Sequence, residues 1–490
     1  MRRGPFGYVR FLTGSGTPDP PAGDETVFSY YPLEVLLPKA GLNAHHRIYR
    51  AYPGLEYNIR VAAIGGAYPY SFRLSNQPAG MTISSNGTIS WPNPAVSAAD
   101  IVVTVTDSLG NTAQGTWSIT VGASGFVFVD AVAGDDDGAG TLADPWQTLD
   151  RVFADGGGTS IVYFRTGTYA TANVGIGAPS QRAGTDWYMR LYIRPPIGNP
   201  CIWLAYPGEA PVLDLGGTAD PANYVPALAP YGHNGCAYFD GFEVVNGHNK
   251  AFIDYAGGTV LRRLTIRDIR HYKDGTNPAA ILTQYNTSQL GEIVQECEFR
   301  DNAVAAFKGY DLLKTLWEDN SVHDGYGGFE PKDGNTRFTC RGCTFRDLVA
   351  PGFFGNMHGT YYPNSGEFCF NLLQRCGSSY YGYNDMCARI NQDAMSEAVY
   401  IYRNTLLGRV QMQNVDSADG PFTFANNVIV NAQAGTPSGS HVTHESVTDA
   451  SRIVLADNLA GYAADGLVDA NGRLVNRALV GVYGHERVGA

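Results

Sequence analysis

The chain has 490 residues, of which 44 % are apolar and only 16 % charged, with 59 Gly, 30 Tyr and a formal net charge of -12. This length implies two or three domains, and the turn-rich, charge-poor composition suits an all-β protein. The acidic balance and the lack of a basic run or basic-aromatic stripe argue against a nucleic-acid partner, and no apolar stretch reaches the about 18 residues of a membrane span.

Residues 1–28 contain Gly, Pro and Asp without periodicity, and GSGTPDPPAGDE reads as a linker. No apolar run of secretory type follows Arg2-Arg3, so a cytoplasmic origin without a Sec leader is expected. The segment is expected to be a flexible arm, either disordered or ordered only on a partner.

Residues 29–124 carry short alternating runs between turn signals: EYNIRVAA, YSFRL, GTISW, DIVVTVTD and GTWSITV. This is the pattern of a β-sandwich. Ser85-Asn86-Gly87 and Ser108-Leu109-Gly110-Asn111 are expected hairpin turns. With Gly65-Gly66, Pro69-Tyr70-Ser71-Phe72, Pro78-Ala79-Gly80-Met81 and Val105-Thr106-Asp107, the segment resembles an Ig-like family of bacterial surface and phage proteins. The resemblance implies a spacer or weak binding module and supplies no catalytic residue.

Residues 125–460 show a longer period. FDGFEV, LRRLTI, QECEFR, EDNSVH, RGCTFR, CFNLLQ, YRNTLL, ANNVIV and ADNLAG share an anchor followed two residues later by a β-branched or large apolar residue. The anchors are Phe242, Leu264, Cys297, Asn320, Cys343, Asn371, Asn404, Asn427 and Asn458, at successive gaps of 22, 33, 23, 23, 28, 33, 23 and 31. The shortest gap is one coil of a parallel β-helix, and the longer gaps are coils with inserted loops. Stacking about 4.8 Å apart would let the anchor asparagines satisfy one another in a buried ladder. Residues 461–490 are left as a last coil or a tail.

FVFVDAVAGDDDGAGTLADPWQTL and the following IVYFRTGTY resemble the opening coils of pectate-lyase-like right-handed β-helix proteins. The expected fold class is therefore all-β: an Ig-like sandwich followed by a right-handed parallel β-helix. The eight cysteines are too sparse for a disulfide framework. Cys340 and Cys343 lack a second ligand pair, and buried free thiols are expected.

Chemistry concentrates between His323 and His358. EPKDGNTRFTCRGCTFRD resembles the chondroitinase B and alginate-lyase family, in which a lysine abstracts the proton α to a uronate carboxylate and calcium neutralises that carboxylate. The resemblance implies Lys332 as base, with His358 in the downstream motif; the family's arginine has no counterpart at its place. Glu330 and Asp333 beside Lys332 oppose a lowered ammonium pKa unless a metal engages them. Hydrolysis would instead use a carboxylate pair drawn from Asp324, Glu330 and Asp333. Asp135, Asp136 and Asp137 form either a solvated turn or, with Asp333, a calcium site. Tyr361, Tyr362, Tyr380, Tyr381 and Tyr383 are candidates for stacking on sugar rings, for protein contacts, or for covering the helix flank.

The overall layout resembles phage tailspike, tail-fibre or head-spike proteins. It implies a virion protein made in the host cytoplasm and joined to other virion proteins through residues 1–28. A homotrimer binding, and in some cases cleaving, bacterial surface polysaccharide is expected. The alternatives are a free polysaccharide lyase acting on uronic-acid glycans and an extracellular adhesin.

Overall fold

The computed structural model describes residues 9–11, 30–36, 50–95, 98–154, 161–170, 192–193, 201–216, 228–230, 237–254, 258–271, 277–283, 291–358, 364–378, 385–394, 396–416, 420–431, 442–462, 468–469 and 475. It divides into two compact units, Val27–Lys273 with Gln289–Cys297, and Met1–Thr26 with Asp274–Ser288 and Glu298–Ala490.

In the first unit, strands Arg50–Ala51, Thr112–Val121, Ala98–Thr106 and Ser71–Ser75 form one sheet of a sandwich. Tyr57–Arg60, Thr88–Trp91 and Thr82–Ile83 form the other. Alternation along these strands buries Tyr57, Ile59, Ile89, Trp91, Ile101, Val103, Val105 and Ile119 in a common core. Both expected hairpin turns are present, with Gly87 at φ 84° and Gly110 at φ 85°. The second turn is organised by Asp107, whose carboxylate accepts from the N–H of Ala67, Leu109 and Asn111 and from Asn111 Nδ2. Burial pushes this carboxyl up, but the four donors more than cancel it and hold it below its ordinary range.

The β-helix begins in the same unit. Phe126–Val129, Ile161–Phe164, Cys201–Ala205, Ala237–Asp240, Val260–Arg262 and Ile293–Gln295 pair in parallel as a first sheet. Thr168–Ala170, Val212–Asp214, Glu243–Val245 and Thr265–Arg267 form a second. The sandwich is joined to these coils by more than the linker. Arg262 Nη1 donates to Asn58 Oδ1 at 2.7 Å and Arg262 Nε meets Glu296 Oε2 at 3.0 Å. Glu296 Oε1 also receives Arg60 at 3.3 Å and Asn86 Nδ2 at 3.2 Å. These contacts explain why the unit boundary falls inside the β-helix and not at the sandwich–helix border near residue 124.

The second unit continues the architecture with three sheets. The first holds Leu316–Glu318, Phe338–Arg341, Asn364–Cys369, Ser396–Tyr402, Phe422–Ala425 and Ile453–Ala456. The second holds Glu298–Arg300, Ser321–Gly325, Thr344–Leu348, Leu372–Cys376, Thr405–Leu407, Val428–Asn431 and Asn458–Tyr462. The third holds Ala279–Thr283, Ala305–Gly309, Gly327–Pro331, Phe353–His358, Met386–Ala394, Arg409–Gln413 and Val442–Glu445. The chain is thus a right-handed parallel β-helix preceded by an Ig-like sandwich. Aromatic rings stack along the interior, Phe307 on Phe329 at 5.0 Å and Phe353 on Phe368 at 4.2 Å.

Every sequence anchor follows a residue in the left-handed region: Gly241, Arg263, Glu296, Asp319, Gly342, Phe370, Arg403, Asn426 and Asp457. That single residue turns the chain from the first sheet into the second, and the anchor then points inward. The expected ladder is present. Asn371 Nδ2 donates to Asn404 Oδ1 at 3.1 Å, Asn404 Nδ2 to Asn427 Oδ1 at 3.0 Å, and Asn427 Nδ2 to Asn458 Oδ1 at 2.9 Å. Each amide also donates to a carbonyl of the first sheet, Cys340, Phe368 and Ile401 in turn. Cys343 extends the ladder, its N–H donating to Asn371 Oδ1 at 2.9 Å.

Cys297, Cys340, Cys343, Cys369, Cys376 and Cys387 are free and buried, as expected. Cys340 and Cys343 do not point to opposite faces as an extended strand would require, because Gly342 (φ 66°) bends the chain and turns both thiols into the core. Of the expected arm, residues Val9–Phe11 form a strand pairing in parallel with Asn458–Ala460; the rest of 1–28 lies outside the described residues. Among the described residues no helix is long and apolar enough to cross a membrane.

Candidate functional site

The third sheet of the second unit turns one row of side chains inward and the next outward. Phe307, Phe329, Phe353, Ala388 and Val410 are buried. On the outer row, Lys308 Nζ lies 3.1 Å from Glu330 Oε2, across paired strands. Glu330 Oε1 accepts from Asn356 Nδ2 at 3.4 Å, Asn356 Oδ1 from Asn391 Nδ2 at 3.3 Å, and Asn391 Oδ1 from Asn414 Nδ2 at 2.8 Å. A parallel run holds the Arg389 guanidinium over the Phe354 ring at 5.3 Å and bonds it to Gln413 Oε1. Gln411 Nε2 continues it to Glu445 Oε2 at 2.8 Å.

The outer face is therefore a continuous strip of amides, one ion pair and a cation-covered aromatic ring. Phe354, Asn356, Arg389, Asn391, Gln411 and Gln413 are all half-buried, so their polar atoms are fixed by neighbours while one side meets solvent. Lys332 directly follows Gly327–Pro331 and places Nζ 5.1 Å from the centre of the Tyr310 ring. Such a strip presents donors and acceptors repeatedly at the spacing of adjacent coils, about 4.8 Å.

The other expected site residues are dispersed. Asp324 lies on the second sheet, where Oδ2 is 2.7 Å from His323 Nδ1, and His323 Nε2 is 3.0 Å from Glu298 Oε1. Asp324 and Glu330 thus belong to different sheets and different networks. Asp333 O accepts from Asp311 N, and burial, then the Asp333 charge, pushes the Asp311 carboxyl up. Only the backbone of His358 is described, at the end of its strand. Tyr361, Tyr362, Tyr380, Tyr381 and Tyr383 lie outside the described residues.

The aspartate cluster has a structural occupation. Asp136 Oδ1 accepts from Gln147 N and Thr148 N, and Oδ2 from Thr148 Oγ1 at 2.6 Å, while Thr148 Oγ1 in turn accepts from Arg151 N in the first turn of the helix Leu149–Ala154. Burial opposes ionisation of Asp136, but these donors and Arg151 outweigh it and hold the carboxyl low. Asp135 Oδ1 accepts from Asp137 N at 3.0 Å, closing the turn. Among the described residues no group of three or more His, Cys, Asp or Glu side chains is placed to hold a metal ion.

Lys308, Phe354, Arg389, Asn391 and Gln413 were not singled out by the sequence reading. The signal was present: Asn391 and Asn414 are 23 residues apart, a gap that three successive anchor pairs also show, and Arg389 and Gln413 are 24 apart.

The family model described as Putative Ig domain matches residues 41–122. No curated protein matches the chain. Among solved structures the chain is similar to a rhamnogalacturonan lyase at 14 % identity and TM-score 0.44, covering 71 % of this chain and 94 % of that one. A pectate lyase is similar at 14 % identity and TM-score 0.37, with 68 % and 78 % covered. A family 28 exopolygalacturonase of Yersinia enterocolitica is similar at 10 % identity and TM-score 0.37, with 89 % and 100 % covered.

Proposed function

We propose that the chain is a glycan-binding β-helix protein of phage spike or fibre type, holding bacterial surface polysaccharide along the outer face of the third sheet. The observation that carries this reading is the strip from Lys308 through Arg389 to Gln413. A repeating polymer meets repeating acceptors and donors there, and the half-buried Phe354 ring adds an apolar contact. The order of arm, Ig-like spacer and β-helix supports reading it as displayed on a virion, as a homotrimer docked through residues 1–28.

A second reading is cleavage by β-elimination with Lys332 as base, favoured by the position of Lys332 at the end of a third-sheet strand. The ion pair of Glu330 with Lys308 fits binding better than catalysis, since it leaves Glu330 engaged. Isolated capsular and lipopolysaccharide glycans immobilised on a biosensor test the first reading. Binding to at least one, without release of unsaturated uronate, supports a binding rod. Unsaturated products that disappear in Lys332→Ala support the lyase, and failure to bind any glycan overturns both.

A further inference from the structure

We infer that a cleft in the first unit, between the Ig-like sandwich and the opening coils, is a site for a single neutral sugar residue. The cleft encloses about 150 Å³ and is lined by Glu56 and Asn58 of the sandwich and by Tyr163, Tyr206, Asp240 and Arg263 of the coils. This is below the roughly 300 Å³ at which pockets for larger organic ligands begin. That volume suits one sugar ring, as a chain end or branch.

The walls are preorganised. Tyr206 is held between the Arg165 guanidinium, 4.4 Å from its ring, and the edge of Tyr163 at 6.4 Å. Tyr163 is itself stacked on Phe128 at 5.6 Å. Arg263 Nε is anchored on Asp240 Oδ1 at 2.6 Å, with the Arg263 side chain 45 % exposed and Asp240 only 1 %. Across the cleft, Glu56 Oε1 accepts from Asn58 Nδ2 at 3.0 Å and from Ser90 Oγ at 3.1 Å. Both donors are neutral, and among the described residues Glu56 enters no ion pair. Gly208 (φ 78°) lies on an open rim, where a Cβ would meet nothing within 4 Å.

These groups select a ligand class. The half-buried Tyr206 offers ring surface to the apolar C–H side of a pyranose, while a carboxylate and an anchored guanidinium bond vicinal hydroxyls. Glu209 is paired with Arg165, and Asp240 with both Arg262 and Arg263, so the ligand needs no charge. The uncompensated Glu56 disfavours a uronate. This site does not depend on the third-sheet reading and can stand or fall alone.

The test is saturation-transfer NMR on the full chain with the methyl glycosides of glucose, galactose, mannose, rhamnose and galacturonic acid. The expected result is transfer to at least one neutral glycoside, weaker transfer to the galacturonide, and a loss of affinity of about tenfold in Glu56→Gln and Tyr206→Ala. Glu56→Gln preserves side-chain volume, so it decides the matter if Tyr206→Ala unfolds. Absence of transfer to every neutral glycoside, or equal transfer in folded Glu56→Gln, overturns the inference.

Discussion

Asn404 shows how much a single buried amide does in this fold. Its Oδ1 accepts from the backbone N–H and Nδ2 of Asn371, and its Nδ2 donates to Phe368 O and Asn427 Oδ1. Asn404→Ala strands these partners away from water and opens a cavity, and should cost on the order of 3 kcal/mol in denaturant unfolding. Asn404→Asp should be worse still, because it keeps the acceptor, loses two donors and buries a charge. Glu367 carries the opposite chemistry. Burial pushes its carboxyl up to about 7, against the pull of Arg341, the Tyr402 hydroxyl and Arg337. The folded pKa is raised above the unfolded one, so the contribution of Glu367 to stability is fully present below pH 4.5 and is lost as the pH rises through about 7. Glu367→Gln should remove that slope, worth on the order of 3 kcal/mol, from a series of unfolding curves across the same window. The ladder was legible in the sequence because its geometry repeats. Glu367 was not, because its burial depends on what covers the outer side of the first sheet.

At the scale of elements, the turn from first to second sheet is a left-handed residue followed by an inward anchor, at nine positions along the chain. Gly342 occupies such a turn at φ 66°, and Gly342→Val should destabilise the second unit by roughly 1–3 kcal/mol through backbone strain alone. On the third sheet, Phe354→Ala and Arg389→Ala should each weaken polysaccharide binding about tenfold while leaving the melting temperature nearly unchanged. Both side chains are half-buried on the solvent face and outside the core. The anchors could be read from sequence because apolar and amide residues recur at fixed offsets. The outer strip could not be read the same way, because amides and charges on a solvent face carry no hydrophobic period. The motif around Lys332 carries a family-like pattern instead, and the aspartate run at 135–137 resembles a cation loop. In the fold, Asp136 holds Gln147 and Thr148 just ahead of a helix, so both its oxygens are already occupied.

For the whole molecule, the sandwich and the opening coils form one unit through Arg60, Arg262, Asn58 and Glu296. Arg262 is buried, with its side chain 2 % exposed, and its removal leaves Glu296 and Asp240 short of a partner. Arg262→Ala should therefore separate unfolding of the Ig-like module from that of the coils, seen as a second calorimetric transition and faster proteolysis near residue 124. The central claim concerns the third sheet, and hydrogen–deuterium exchange with and without a bound surface polysaccharide tests it most directly. Protection concentrated in Ala305–Gly309, Gly327–Pro331, Phe353–His358, Met386–Ala394 and Arg409–Gln413 is the predicted result. Protection confined to the second sheet, or none on the third with glycan bound, would contradict it.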